Sequence, residues 1–269
     1  MSPPVLRTAM IIILWGLAHL VQAQDAELAQ LFKRHDATGT LLIQSINSGQ
    51  RLVHDPDRSK TLYPVASTFK VFNTLIALEE GAIGHAHSVI PWDGQRHAFE
   101  TWNGDQTLAS AFKVSCVWCY QVLAQRIGVD KYRQYLDTAG YGELGGTFRL
   151  TEFWLDGSLR ISAEGQVDFL RKVVERRLPF RPATYDTLKE VMRVGDIPEV
   201  RLYAKTGWAA RHSPQIGWYV GYVETSTNVW LFALNMDIQG QEDLPLRQKL
   251  VLDALALKGM LPGDGGERS

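Results

Sequence analysis

Residues 64–81 read Pro-Val-Ala-Ser-Thr-Phe-Lys-Val-Phe-Asn-Thr-Leu-Ile-Ala-Leu-Glu-Glu-Gly. From Ser67 to Glu80 the spacing of Phe69, Phe72, Leu75 and Ile76 puts four apolar side chains on one helical face, and Gly81 is a stop signal. Helical periodicity continues beyond it, over 108–127, 130–139, 163–175 and 183–193. Outside that block the pattern changes. An amphipathic helix at 26–33 precedes apolar strands at 40–46 and 50–54, set around the hairpin signal Asn47-Ser48-Gly49. Strands return at 201–206, 217–223 and 229–237, where β-branched and aromatic residues concentrate. Thr225-Ser226-Thr227-Asn228 joins the last two, and Leu246–Leu257 is a closing helix. Strands at both ends with helices between them predict an α+β fold. Its antiparallel β-sheet is formed by both chain ends and flanked by helices, with an inserted, mainly helical lobe at about 67–195. A cleft is expected where lobe and sheet meet.

Composition narrows the function classes. The chain has 269 residues, 45% hydrophobic and 21% charged, which excludes a disordered, collagenous or coiled-coil protein. With 28 Lys+Arg against 29 Asp+Glu the net charge is −1, and without a basic stretch nucleic acid is not an expected partner. Residues 1–23 read as a signal peptide: Arg7 in a short n-region, an apolar run from Ala9 to about Val21, and Val21-Gln22-Ala23 as the cleavage site. The alternative is an uncleaved anchor helix, but the apolar run is shorter than the roughly 20 residues a bilayer span needs. The expected product is therefore residues 24–269, one catalytic domain, exported to the periplasm of a Gram-negative host with no stable membrane anchor. Residues 262–269 read as a frayed tail.

The strongest chemical signal is Ser67-Thr68-Phe69-Lys70. One helical turn brings the hydroxyl and the amine to one face. A serine hydroxyl needs a base to become nucleophilic, and a lysine is a base only when burial keeps it neutral. A helix N-terminus adds amides suited to a developing oxyanion. Alone, S-x-x-K is commonly a capping serine beside a solvated lysine. Two further pieces lift it above that: Ser115-Cys116-Val117 inside a helical pattern, and Lys205-Thr206-Gly207 at a strand end, where a cation, a hydroxyl and a glycine can hold a carboxylate close to the backbone.

Together with residues 64–70, Tyr141-Gly142, 153–162 (FWLDGSLRIS), 218–221 (WYVG) and 244–247 (LPLR), these elements resemble the serine β-lactamases of class D, the oxacillinases, among the penicillin-recognising enzymes. The likeness runs from about Gly39 to Leu261. It implies β-lactam antibiotics as substrates, hydrolysed through a Ser67 acyl-enzyme. Lys70 would be carboxylated on its side-chain nitrogen by carbon dioxide or bicarbonate, and the carbamate would be the general base. Trp154 would hydrogen-bond the carbamate, with Val117 packed beside it, and Ser115 would relay a proton to the leaving nitrogen. The backbone N–H groups of Ser67 and Trp208 would form the oxyanion hole. Thr206 and Arg247 would hold the substrate carboxylate, with Lys205 setting the local positive potential and Gly207 letting the substrate backbone approach. No metal or other cofactor is implied, and family members occur as monomers and homodimers.

The family's Tyr-Gly-Asn reads Tyr141-Gly142-Glu143 here, a carboxylate in place of an amide. Cys116-Val117-Trp118-Cys119 has redox-type spacing, but no thioredoxin-like pattern surrounds it. Its expected place inside a helix favours free, packed thiols over a disulfide. His85 and His87 lack acidic or thiol partners in a zinc pattern, so no metal site is expected.

Overall fold

The hydrophobic residues of the terminal strands alternate between two cores, and this sets the centre of the molecule. The computed structural model describes residues 24–195 and 199–261, so the signal peptide and the tail lie outside the described residues. Five strands, β1 (Gly39–Ser45), β2 (Arg51–His54), β3 (Arg201–Ala209), β4 (Gln215–Glu224) and β5 (Val229–Ile238), form one antiparallel sheet in the order β2-β1-β5-β4-β3. The two chain ends meet at its centre, where Gly39 faces Met236 and Ser45 faces Trp230.

Leu41, Ile43, Phe232 and Leu234 point to one face, against α1 (Ala26–Arg34) and α8 (Leu246–Leu257). Leu42, Leu231, Ala233 and Val220 point to the other, into the larger core shared with α2 (Lys70–Glu79) and α6 (Ala163–Val174). Both faces are covered, so the central strands are apolar in both registers. Each fully buried Leu or Phe contributes roughly 1.5–3 kcal/mol, which makes this sheet a rigid base for anything mounted on its edge.

The lobe between comprises α2, α3 (Leu108–Lys113), α4 (Val117–Ile127), α5 (Val129–Ala139), α6 and α7 (Pro182–Met192). Two expectations change here. The 67–80 helix begins as a 3-10 turn, Ala66–Phe69, and continues as α2, in which every residue from Lys70 to Leu78 is buried. It is the lobe's central helix, not a surface helix with one apolar face.

The helix expected at 108–127 is two. Ser115 N–H donates to Phe112 O and Cys116 N–H to Ala111 O, which closes α3 in a Schellman-type cap. Ser115 occupies the left-handed position at φ 59°, where glycine is usual. Without a glycine at the break, periodicity ran straight through it. Cys116 then caps α4. A small sheet of Tyr63–Pro64, Leu159–Ile161 and Glu143–Leu144, too short to read from sequence, leads the chain directly into Ser67.

Candidate active site

Ser67 sits in the 3-10 turn, and Lys70 is the first residue of α2. Their Oγ and Nζ atoms are 3.1 Å apart. Lys70 is fully buried, and its Nζ stands 5.0 Å from the centre of the Tyr120 ring. Burial pushes the Lys70 ammonium down to about 7, so a large fraction is neutral at physiological pH. In that form the amine accepts the hydrogen bond and Ser67 donates it, the arrangement that prepares a serine for attack. Ala66, immediately before the serine, has φ 47°. A left-handed residue with a Cβ costs about 1–2 kcal/mol. Both Ala66 and Ser115 carry that cost, each at this site, where packing over-determines the backbone.

The second lysine has a different shell. Lys205 on β3 donates to Ser115 Oγ at 3.1 Å, Thr206 O at 3.0 Å and Thr206 Oγ1 at 3.3 Å. Burial pushes its ammonium well below the usual range, and the charges on Lys70 and Arg247 push the same way. The Lys70 contribution vanishes when Lys70 is neutral. Lys205 has three oxygen acceptors against the one at Lys70, and these favour its charged form against the lowering by burial.

Gly207 explains how the sheet reaches the serine. A Cβ there would lie 3.0 Å from Thr68 Cγ2, 3.1 Å from Trp218 Cβ and 3.3 Å from Thr68 N. The missing side chain lets β3 pack directly on the turn that holds Ser67, where a Cβ would press on Thr68 and Trp218. Arg247, on the first turn of α8, donates to Gly207 O and Leu244 O, each at 2.6 Å. Burial lowers it to about 10, which leaves it charged at neutral pH, and the two carbonyls fix that charge beside β3.

Ser67, Ser115, Val117, Thr206, Gly207, Trp208 and Arg247 line one cleft of about 470 Å³ between lobe and sheet. Lys70 and Lys205 lie beneath it, each in contact with one of those serines. Trp154 does not reach the cleft surface. It is fully buried, stacked on Phe69 with centroids 6.0 Å apart, and its Nε1–H has no hydrogen-bond partner among the described residues. A buried N–H without an acceptor is costly, about 1–3 kcal/mol. Phe99 and Tyr120 were not singled out from sequence. Phe99 forms part of the cleft wall and is nearly half exposed. Tyr120 is a core tyrosine whose hydroxyl bonds Thr74 Oγ1 at 2.7 Å. An aromatic at i+3 from Val117 was the signal for the second; the first sits in an irregular loop and had none.

The cysteine expectation is overturned: Cys116 and Cys119 form a disulfide. Cys116 lies at the N-cap, outside the helix, with φ −52° and ψ 115°, and the Cα atoms are 5.5 Å apart, within bonding range. The i,i+3 argument held only for two residues both inside a helix. Glu143 is exposed and pairs in register with Arg160 on the small sheet. Among the described residues no group of three His, Cys, Asp or Glu side chains could hold a metal ion, and no helix is long and apolar enough to cross a membrane.

A family model for the transpeptidase domain of penicillin-binding proteins matches residues 27–256. The β-lactamase OXA-48 of Klebsiella pneumoniae is 36% identical over 231 residues, 86% of this chain and 87% of that protein. OXA-2 of Salmonella typhimurium is 37% identical over 254 residues, 92% and 91% of the two chains. Among solved structures, the class D β-lactamase YbXI from Nostoc superposes with a TM-score of 0.84 at 37% identity, covering 86% of this chain and 98% of the other. The class D enzyme FUS-1 from Fusobacterium nucleatum gives 0.86 at 30% identity, covering 89% and 100%.

Proposed function

The chain belongs to the class D β-lactamases, and from that premise we propose that Ser67 opens the β-lactam ring as an acyl-enzyme. Ser67 Oγ gives its proton to the base at Lys70 and adds to the ring carbonyl carbon, and the C–N bond breaks. The leaving nitrogen takes a proton through Ser115, held by Lys205. Water then attacks the ester, releases the ring-opened acid and restores Ser67. Thr206 and Arg247 receive the substrate carboxylate, and the backbone N–H groups of Ser67 and Trp208 stabilise the oxyanion. This activity confers β-lactam resistance on the host. Residues 1–23 direct export to the periplasm, and 24–269 act as one catalytic unit.

The observation that carries the reading is the 3.1 Å contact between Ser67 and a fully buried Lys70 whose ammonium is pushed to about 7. The same residues fit carboxylation of Lys70. Only a neutral amine adds carbon dioxide, with loss of a proton, and the unpartnered Trp154 Nε1–H supplies a donor for the product. When present, that carboxylate supplies a general base for both acylation and deacylation. Trp154 and Val117 would hold it.

Purified enzyme with a chromogenic cephalosporin tests the proposal. Turnover should be lost in Ser67→Ala, and activity lost on acidification in carbon dioxide-free buffer should return with bicarbonate. Acylation without turnover, bicarbonate supplied, refutes the hydrolase reading and points to a transpeptidase. Full activity after degassing, with no bicarbonate response, refutes the carboxylated lysine.

A further inference from the structure

The Cys116–Cys119 bond takes no part in the chemistry above, yet it lies between two residues of the cleft. Ser115 precedes it and Val117 lies within its span. Both cysteines are fully buried, so the bond is shielded from thiols in solution. A bond closing a ring this short removes little entropy from the unfolded chain. What it supplies is local geometry.

That geometry matters at this position. α3 ends and α4 begins at a left-handed serine, a conformation that persists only when its surroundings impose it. On one side the turn is held by Trp102 Nε1–H donating to Val114 O, at 3.0 Å, and Trp118 Nε1–H donating to Trp102 O, at 3.0 Å. On the other, Cys119 N–H donates to Cys116 Sγ at 3.2 Å and the two sulfurs are joined. The disulfide therefore ties the N-cap of α4, the residue that follows Ser115, to the helix's first turn.

We propose that the Cys116–Cys119 disulfide is a positioning element for acylation: it holds the turn so that Ser115 Oγ meets Lys205 Nζ. The inference rests on the proposed relay role of Ser115. Deacylation needs no proton delivered to a leaving nitrogen, so the two half-reactions should separate.

The test uses the exported protein. Unreduced, denatured wild type should show no titratable thiol; two thiols overturn the proposal. Cys119→Ala breaks the bond but keeps the Cys116 side chain as a cap, and Cys116→Ser/Cys119→Ala replaces that cap with a hydroxyl. Acylation and deacylation are measured separately by stopped flow and intact-protein mass spectrometry. Both variants should acylate about 10-fold more slowly, part of the roughly 10²–10⁴ that a positioned proton donor is worth, with deacylation within 2-fold. In a Ser115→Ala background, breaking the bond should cost acylation less than about 2-fold, because the effect passes through Ser115. Equal slowing of both steps, unchanged rates, or an additive loss in that background each overturn the proposal. Wild type that neither acylates nor turns over instead refutes the reading of Ser67, a separate outcome.

Discussion

Lys70 and Lys205 are both buried and each touches a serine of the cleft, yet they sit in opposite kinds of surroundings. Lys70 rises from the central helix of the lobe, with Ser67 Oγ as its hydrogen-bond partner and the Tyr120 ring beside it. Lys205 comes from the edge of a rigid sheet, and three oxygens accept its protons. Lys70 is lowered by burial alone, whereas Lys205 is lowered by burial and by the charges on Lys70 and Arg247, with its three oxygen acceptors opposing that shift. The two amines of one buried site are thus mounted on different layers of the fold, one on the lobe and one on the sheet.

Removing the lobe lysine should give the largest effect. Lys70→Met should lower acylation by about 10³-fold, within the range expected for loss of a general base. The same variant tests the cause of its neutrality. Unfolded, Lys70 keeps its proton up to about 10.5, and folded only to about 7. Between those values the unfolded state binds more protons, so burial is most costly below pH 7 and its cost falls as pH rises. In carbon dioxide-free urea titrations, Lys70→Met should be more stable than wild type at pH 6. That advantage should shrink by roughly 3 kcal/mol at pH 9. A pH-independent difference would mean that the amine stays charged in the fold.

Next comes the sheet lysine. Lys205→Ala should lower kcat/KM by about 10²-fold, comparable to loss of one electrostatic contact at a reacting centre. In the proposed mechanism Lys205 holds Ser115 and sets the local charge, so the loss should appear in acylation and in capture of anionic substrate, with deacylation nearly intact. Equal damage to deacylation would erase the proposed division of labour between the two lysines.

The placement of the two lysines was partly legible in the sequence. The S-x-x-K spacing placed Ser67 and Lys70 together, and Lys205-Thr206-Gly207 was read at a strand end. Alternation and helical periodicity gave the sheet from both chain ends and the lobe between them. What escaped was non-periodic. The break at Ser115 carries no glycine or proline, and its cap is a matter of backbone hydrogen bonds. The close approach at Gly207 depends on Thr68, 139 positions earlier in the chain. The cysteine pair was misread because one residue lies just outside the helix. Two of these misses are helix-boundary conformations without a glycine or proline to mark them, and the third is a long-range contact; propensity and spacing encode neither.

The smallest effect belongs to the one motif position that departs from the family. Glu143 puts a carboxylate where the family has an amide, which in the buried cleft would oppose anion capture. Instead the residue is exposed on the small sheet, opposite Arg160 and far in topology from β3. An exposed charge is screened by solvent and salt. Glu143→Asn should therefore leave acylation and deacylation within about 2-fold and change stability by less than about 1 kcal/mol, decreasingly so at high salt. A larger gain in kcat/KM would mean that its charge reaches the cleft. The charge of Arg247, fixed beside β3, would then be opposed by an anion of the lobe.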